Sequence, residues 1–158
     1  MIADPVGDTT RYRYYFHKAY ETYEEAKALC QADGHELFMP KTRDMYNEAV
    51  KAVLQGVIEH EVSEHVNYVW LDLTDLAEEG AYVWGDQEPV GWAIWDKGQP
   101  ENLNDVGIDC VSIFTYEEYV NPWRVSRCSM LGSYLCQKGK FVKYNAVFVT
   151  SSCGVSAV

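Results

Sequence analysis

The chain predicts an α+β domain, and three observations carry that reading. Two segments with helical periodicity come first, over 22–34 and 42–59. Short β-branched and aromatic runs bounded by turn residues follow from residue 68 onward. Four of the five cysteines, Cys30, Cys110, Cys128 and Cys136, frame a tryptophan-rich stretch that reads VWLDL over 69–73, then Trp84, Trp95 and GQPEN over 98–102. The 158 residues suffice for one domain with a substantial core and are too few for two.

The first helix starts at Thr22, with Glu25 placed to complete a capping box that satisfies orphan amides at the helix start. Tyr23, Ala26, Leu29 and Cys30 follow at helical spacing, and Gly34 supplies a left-handed stop. Cys30 faces inward, where it can staple the helix to a distant strand. Thr42 caps the second helix, and Asp44 sits in its first turn, where the positive helix end favours an acid. Met45, Ala49, Val50, Val53, Leu54, Val57 and Ile58 form a broad apolar stripe reaching to Glu59. Gly56 inside it costs about 1 kcal/mol relative to alanine.

Strands are expected over 68–73, 82–84, 110–114, 119–123 and 134–137, with an acidic turn over 77–80 between the first two. Residues 85–99 carry Gly85, Gly91 and Gly98 with Trp92 and Trp95, which marks a long structured loop. Loops of that length inside a compact domain usually exist for binding. Trp92 and Trp95 can stack on a ligand or anchor the loop to the core.

Hydrophobic residues make up 47% and charged residues 23%, an ordinary globular composition that argues against wholesale disorder. Twelve tyrosines and five tryptophans fill a core and also suit recognition surfaces, because each couples an apolar face to a polar handle. The formal charge of −11 repels a phosphate backbone or an anionic membrane, so nucleic acid is a poor partner. An acidic surface suits cations, basic protein patches or mineral faces, or serves solubility alone. No apolar run is long enough to span a bilayer. The opening residues lack the basic-then-apolar pattern of a secretion signal, so a secreted form would have had it removed.

No CxxC pair of the kind that holds zinc or exchanges thiols occurs, which favours structural disulfides. Four framing cysteines leave the pairing open. Cys153 is the odd one, either a free thiol, an intermolecular link or a partner to something outside this chain.

These residues, taken in order, resemble the C-type lectin-like domain family over about 14–138. The resemblance rests on a helix ending at Cys30, a second helix, VWLDL in place of the family's WIGL, Trp84 with Asp86, the G-Q-P loop at 98–100, and Cys110, Trp123, Cys128 and Cys136. It implies two helices packed on small antiparallel sheets with a long loop near the ligand site. It also implies pairing of Cys30 with Cys136 and of Cys110 with Cys128. In the chain-entropy picture the long closure stabilises by about 4–5 kcal/mol and the short one by roughly 3 kcal/mol. Residues 1–13 then form an N-terminal arm and 139–158 a tail, whose strand-prone 141–150 pairs with an edge of the domain or with another molecule.

Sugar-binding members of that family hold calcium through the oxygens of a loop centred on a cis proline, a nearby acid, and an Asn-Asp pair after a tryptophan. Here the loop reads Gln99, Pro100, Glu101, similar to the galactose-type Gln-Pro-Asp. Arg124 and Val125 follow Trp123, where the pattern needs Asn and Asp, and Arg124 would place a cation beside the metal. Ile108 stands where sugar binders place an acid, while Asp109 matches the residue next to the cysteine. Losing these donors is severe for a cage of roughly six to eight oxygens. Glu101, Asn102, Asn104, Asp105 and Asp109 could supply a rearranged calcium site, and they read equally as a solvated turn.

Catalysis finds no foothold. His60, Glu61, Glu64 and His65 come close to the HExxH zinc pattern with the wrong histidine spacing, leaving His60 with Glu64 as an adventitious zinc pair. No serine sits in a GxSxG elbow, and no glycine-rich phosphate loop occurs. The expectation is an extracellular recognition module, not an enzyme, that binds a glycan or protein ligand through the long loop without the usual calcium cage. The ligand set is Trp92, Trp95, Gln99, Glu101, Asn102, Asn104, Asp105, Asp109 and Arg124. One alternative is a calcium-dependent galactose-type lectin using Gln99, Glu101 and Asp109. The others are a calcium-independent protein-binding module, dimeric through Cys153 or the tail, and an acidic protein acting on mineral or ice.

Overall fold

A computed structural model describes residues 12–59, 68–101, 107–114 and 122–139, with backbone alone over 53–59. The chain divides into the unit Tyr14–Lys138 and a second of Met1–Arg13 with Gly139–Val158, of which only Tyr12, Arg13 and Gly139 are described. In order the elements are β1 (Tyr12–Glu21), α1 (Tyr23–Ala32), β2 (Glu36–Leu37), α2 (Arg43–Glu59), β3 (Tyr68–Thr74), β4 (Val83–Trp84), β5 (Cys110–Phe114), β6 (Trp123–Ser126) and β7 (Gly132–Gly139).

The capping box at Thr22 and Glu25 forms as its spacing predicts: the Glu25 amide donates to Thr22 Oγ1 at 3.3 Å and the Thr22 amide to the Glu25 carboxylate at 3.0 Å. Gly34 takes φ 73°, the left-handed conformation a β-carbon disfavours. Thr42 caps α2 by accepting the Met45 amide at 3.2 Å.

The sheet runs β1-β7-β3-β5-β6, with β2 on β7 and β4 on β3. The pairs β2–β7, β3–β4, β3–β5 and β5–β6 are antiparallel, whereas β3 and β7 run parallel, so the sheet is mixed. Two edge strands, β1 and β2, go beyond the strands expected from sequence. Tyr14 and Phe16 of β1 pack on the core between exposed Arg13, Tyr15 and Lys18, a half-buried alternation diluted by charge. The strand expected over 119–123 is found at Trp123–Ser126, displaced because Arg124 and Ser126 weaken its apolar pattern, while 119–121 lie outside the described residues.

Both faces of β3 are covered, which explains its continuous apolar run. Val69, Leu71 and Leu73 point into a core shared with Phe38, Tyr46, Ala49, Trp84, Val111, Ile113, Trp123 and Leu135. Trp70 joins a second core with Tyr23, Ala26, Cys30, Leu37, Cys110, Tyr134 and Cys136, under α1. The indole of Trp70 donates to the Glu21 carbonyl at 2.9 Å. Buried Gln137 accepts the Met39 amide at 2.8 Å.

The cysteines pair Cys30–Cys136, across 106 residues of sequence, and Cys110–Cys128, across 18. The first pins α1 to β7. The second ties the start of β5 to the turn after β6.

Candidate functional site: the cleft between the long loop and the sixth strand

The loop after β4 is built around Trp123. Trp84, Trp92 and Trp95 meet its indole edge-on at 5.8, 5.7 and 6.0 Å between ring centroids, and Tyr46 lies at 6.2 Å. Trp92 also contacts Tyr46, and Trp95 contacts Tyr82 at 5.3 Å. Both loop tryptophans are half-buried, so the structure spends much of their faces on the core.

The end of the loop is sewn to the free edge of β6. The Trp123 amide donates to the Ile94 carbonyl at 2.7 Å, and the Asp96 amide to the Trp123 carbonyl at 3.0 Å. One residue pair further along, the Val125 amide donates to the side-chain carbonyl of Gln99 at 3.0 Å. The Gln99–Pro100 peptide is cis, and Gly98 before it has φ 81°.

This stitching leaves a cleft of about 400 Å³ lined by Gln99 and Glu101 from the loop, Arg124, Val125, Ser126, Arg127 and Met130 from β6 and the following turn, and Tyr68 and Ile108. Arg124 is oriented by two neighbours. Its Nε donates to Asp96 Oδ2 at 2.6 Å, its Nη2 pairs with the same oxygen, and its guanidinium lies over the Phe114 ring at 4.8 Å. The Lys97 amide donating to Asp96 and the guanidinium of Arg124 together hold the Asp96 carboxyl below its ordinary range.

Of the residues expected to bind, Gln99, Glu101 and Arg124 therefore come together on the cleft. Trp92 and Trp95 pack on the core beside it. Asp109 does not line it; its carbonyl accepts the Asp75 amide at 3.1 Å. Asn102, Asn104, Asp105, His60, Glu64 and Cys153 lie outside the described residues. Arg127, Tyr68, Met130, Ile108 and Asp96 go beyond that expectation. The position of Arg127 between Trp123 and Cys128 was the available signal for it.

Among the described residues, the lining of the cleft does not assemble a calcium cage. Gln99 Oε1 is already bonded to Val125, two arginines line the wall, and Glu101 is the one carboxylate among the described lining residues. Among the described residues no group of three or more His, Cys, Asp or Glu is arranged to hold a metal ion. A separate acidic corner exists where β3 ends. The Glu79 carboxyl is raised by desolvation and then by the fields of Asp75 and Asp109. Buried Asp75 accepts the Gly80 amide through Oδ2 at 2.9 Å.

The family model for the lectin C-type domain matches residues 19–138. Collectin-11 of Bos taurus is 29% identical over 85% of this chain and 46% of its own length. The chain spans less than half of the curated relatives it matches. Among solved structures, the mouse scavenger receptor C-type lectin carbohydrate-recognition domain is 26% identical with a TM-score of 0.63, covering 82% of this chain and 91% of that one. Human lithostathine shares the fold at 24% identity and a TM-score of 0.64, covering 88% and 92%. With the two helices, the mixed sheet, both disulfides and the family match in agreement, this chain belongs to the C-type lectin domain family.

Proposed function

We propose that this domain is an extracellular recognition module, not an enzyme, which binds a glycan or protein ligand in the cleft between the Gln99–Glu101 loop and β6 without a calcium cage. The observation that carries this reading is the pair of bonds closing the cleft from within the protein: Val125 to Gln99, and Arg124 to Asp96. These contacts give the loop its shape through protein groups, in a place where a bound cation would otherwise be needed to gather oxygens. Similarity to a carbohydrate-recognition domain supports a saccharide as the first ligand to try. Two disulfides suit an oxidising compartment, which supports the extracellular placement. Among the described residues no helix is long and apolar enough to cross a membrane.

A glycan array read in calcium and again in chelator tests the reading. Binding is expected to be the same in both, and Glu101→Ala is expected to alter it. Chelator-sensitive binding to galactose-like sugars would instead establish the calcium-dependent galactose-type alternative.

A further inference from the structure

We propose that β1 is fastened to the domain by an acid-sensitive latch, the stacks of His17 on Tyr134 and of Tyr15 on His35, which loosens when His17 takes up a proton. Alternation along the strand sets its place. Tyr14 and Phe16 turn one face of β1 to the core around Val69 and Leu71, so Tyr15, His17 and Ala19 turn to the other, where Ala19 meets the core under α1. On that face two flat stacks form. The Tyr15 and His35 rings lie 4.5 Å apart between centroids with 6° between their planes, and the His17 and Tyr134 rings 4.7 Å apart with 14°. Strand β1 thus supplies one tyrosine and one histidine and receives one of each.

The receiving side is firmly placed. His35 follows the left-handed Gly34, and its amide donates to the Cys30 carbonyl at 2.9 Å, while Tyr134 is buried in β7 beside Trp70. The strand itself is less secure. It ends the sheet, with β7 as its one strand neighbour among the described residues, and local opening starts at elements with few neighbours. Side-chain contacts on this face therefore weigh heavily in keeping β1 closed.

Charge decides when the latch holds. Around His17 stand Asp33 at the end of α1, His35 in the turn after it, and Tyr134 on β7, the last within the fields of Glu21 and Asp33. Burial opposes a charge on His17 most strongly and the field of His35 adds to it; Asp33 pulls the other way without reversing the balance, so the imidazole is held below its ordinary range. Tyr134 is raised by its own burial and by Glu21 and Asp33, so it stays an uncharged ring. The contribution of the neutral stack is fully present above the ordinary histidine range and is lost as the pH falls through the depressed value.

Amide hydrogen exchange of the full chain, read by mass spectrometry at about pH 8 and about pH 5 and corrected for the intrinsic rate, tests the latch. Protection over 12–21 is expected to fall several-fold in acid while protection over 110–114 holds. His17→Phe keeps a flat ring for Tyr134 and removes the proton site, so it is expected to abolish the acid loss, and His35→Phe to reduce it. Proton NMR of the wild-type imidazoles should place the His17 midpoint below the ordinary histidine range. Equal protection over 12–21 at both pH values, an even loss across the whole chain, or an acid loss that survives His17→Phe would each overturn the latch. So would a His17 midpoint at or above the ordinary range, which is measured without any substitution and decides the matter even if the phenylalanine variant fails to fold.

Discussion

The hydroxyl of Tyr23 in α1 donates to Asp72 Oδ1 in β3 at 2.5 Å, and the same oxygen accepts Lys27 Nζ at 3.1 Å. Asp72 is 3% exposed, so its charge is held inside the fold by these donors. The tyrosine is raised well above its ordinary range, first by burial and then by the field of Asp72. Tyr23→Phe is expected to cost about 1–3 kcal/mol, since it leaves a buried carboxylate short of a donor. Lys27→Ala is expected to cost about 1 kcal/mol or less, because Lys27 is 30% exposed and water can replace it. Urea denaturation of both variants checks the order; a lysine effect larger than the tyrosine effect would show that charge, not the buried hydrogen bond, sets this contact.

Gly85 lies against the same carboxylate. A β-carbon built there would sit 1.8 Å from Asp72 Oδ2, and the Gly85 amide already donates to the Asp72 carbonyl at 2.9 Å. Asp72 has little freedom to retreat, because Tyr23 and Lys27 hold it. Gly85→Ala is therefore expected to destabilise by about 3 kcal/mol, whereas Gly91→Ala, where nothing lies within 4 Å, is expected to be near neutral. Thermal melts of the two alanine variants decide it.

Local chemistry made much of this fold legible in sequence. Thr22 with Glu25, Gly34 and Thr42 act over one helical turn, so spacing alone fixes what they do. The run over 69–73 was readable as a strand because both of its faces are buried. The strand β1 was not, since Arg13, Lys18 and His17 break its alternation and its place comes from pairing in the sheet. At the cleft, Gln99, Glu101 and Arg124 were named by motif. Asp96, which orients Arg124 from 28 residues away, had no local mark, because an ion pair of that separation is a product of the fold. Asp109 was read with Gln99 and Glu101 because it matches the family's residue beside the cysteine and lies near them in sequence, whereas its carbonyl accepts the Asp75 amide and its field acts on Glu79.

The clasp between Arg124 and Asp96 is expected to respond to acid. The folded Asp96 carboxyl is depressed below its ordinary range, so its contribution is fully present above that range and is lost as the pH falls through the depressed value. In Arg124→Gln one lowering influence is gone while the Lys97 amide remains, so the Asp96 midpoint should rise part of the way back. Carboxyl NMR titration of both proteins measures it; an unchanged midpoint would mean that the backbone bond alone sets the shift.

The two disulfides should contribute unequally. Cys30–Cys136 closes a separation of 106 residues and both of its residues are buried, whereas Cys110–Cys128 closes 18 with Cys128 only half-buried. Loop-closure entropy in the unfolded chain grows with the logarithm of length, giving about 4–5 kcal/mol for the first and roughly 3 kcal/mol for the second. Replacing Cys30 and Cys136 together by alanine should therefore lower the unfolding free energy by about 1–2 kcal/mol more than replacing Cys110 and Cys128. The local consequences differ in kind as well. The first pair joins α1 to β7 within the core under Trp70, while the second holds the turn that carries Arg127 and Met130 to the cleft. Loss of the short bridge should thus disturb ligand binding more than its stability cost suggests. Denaturation midpoints set beside ligand titrations for the two double variants separate these effects, and equal losses of binding in both would refute the local role.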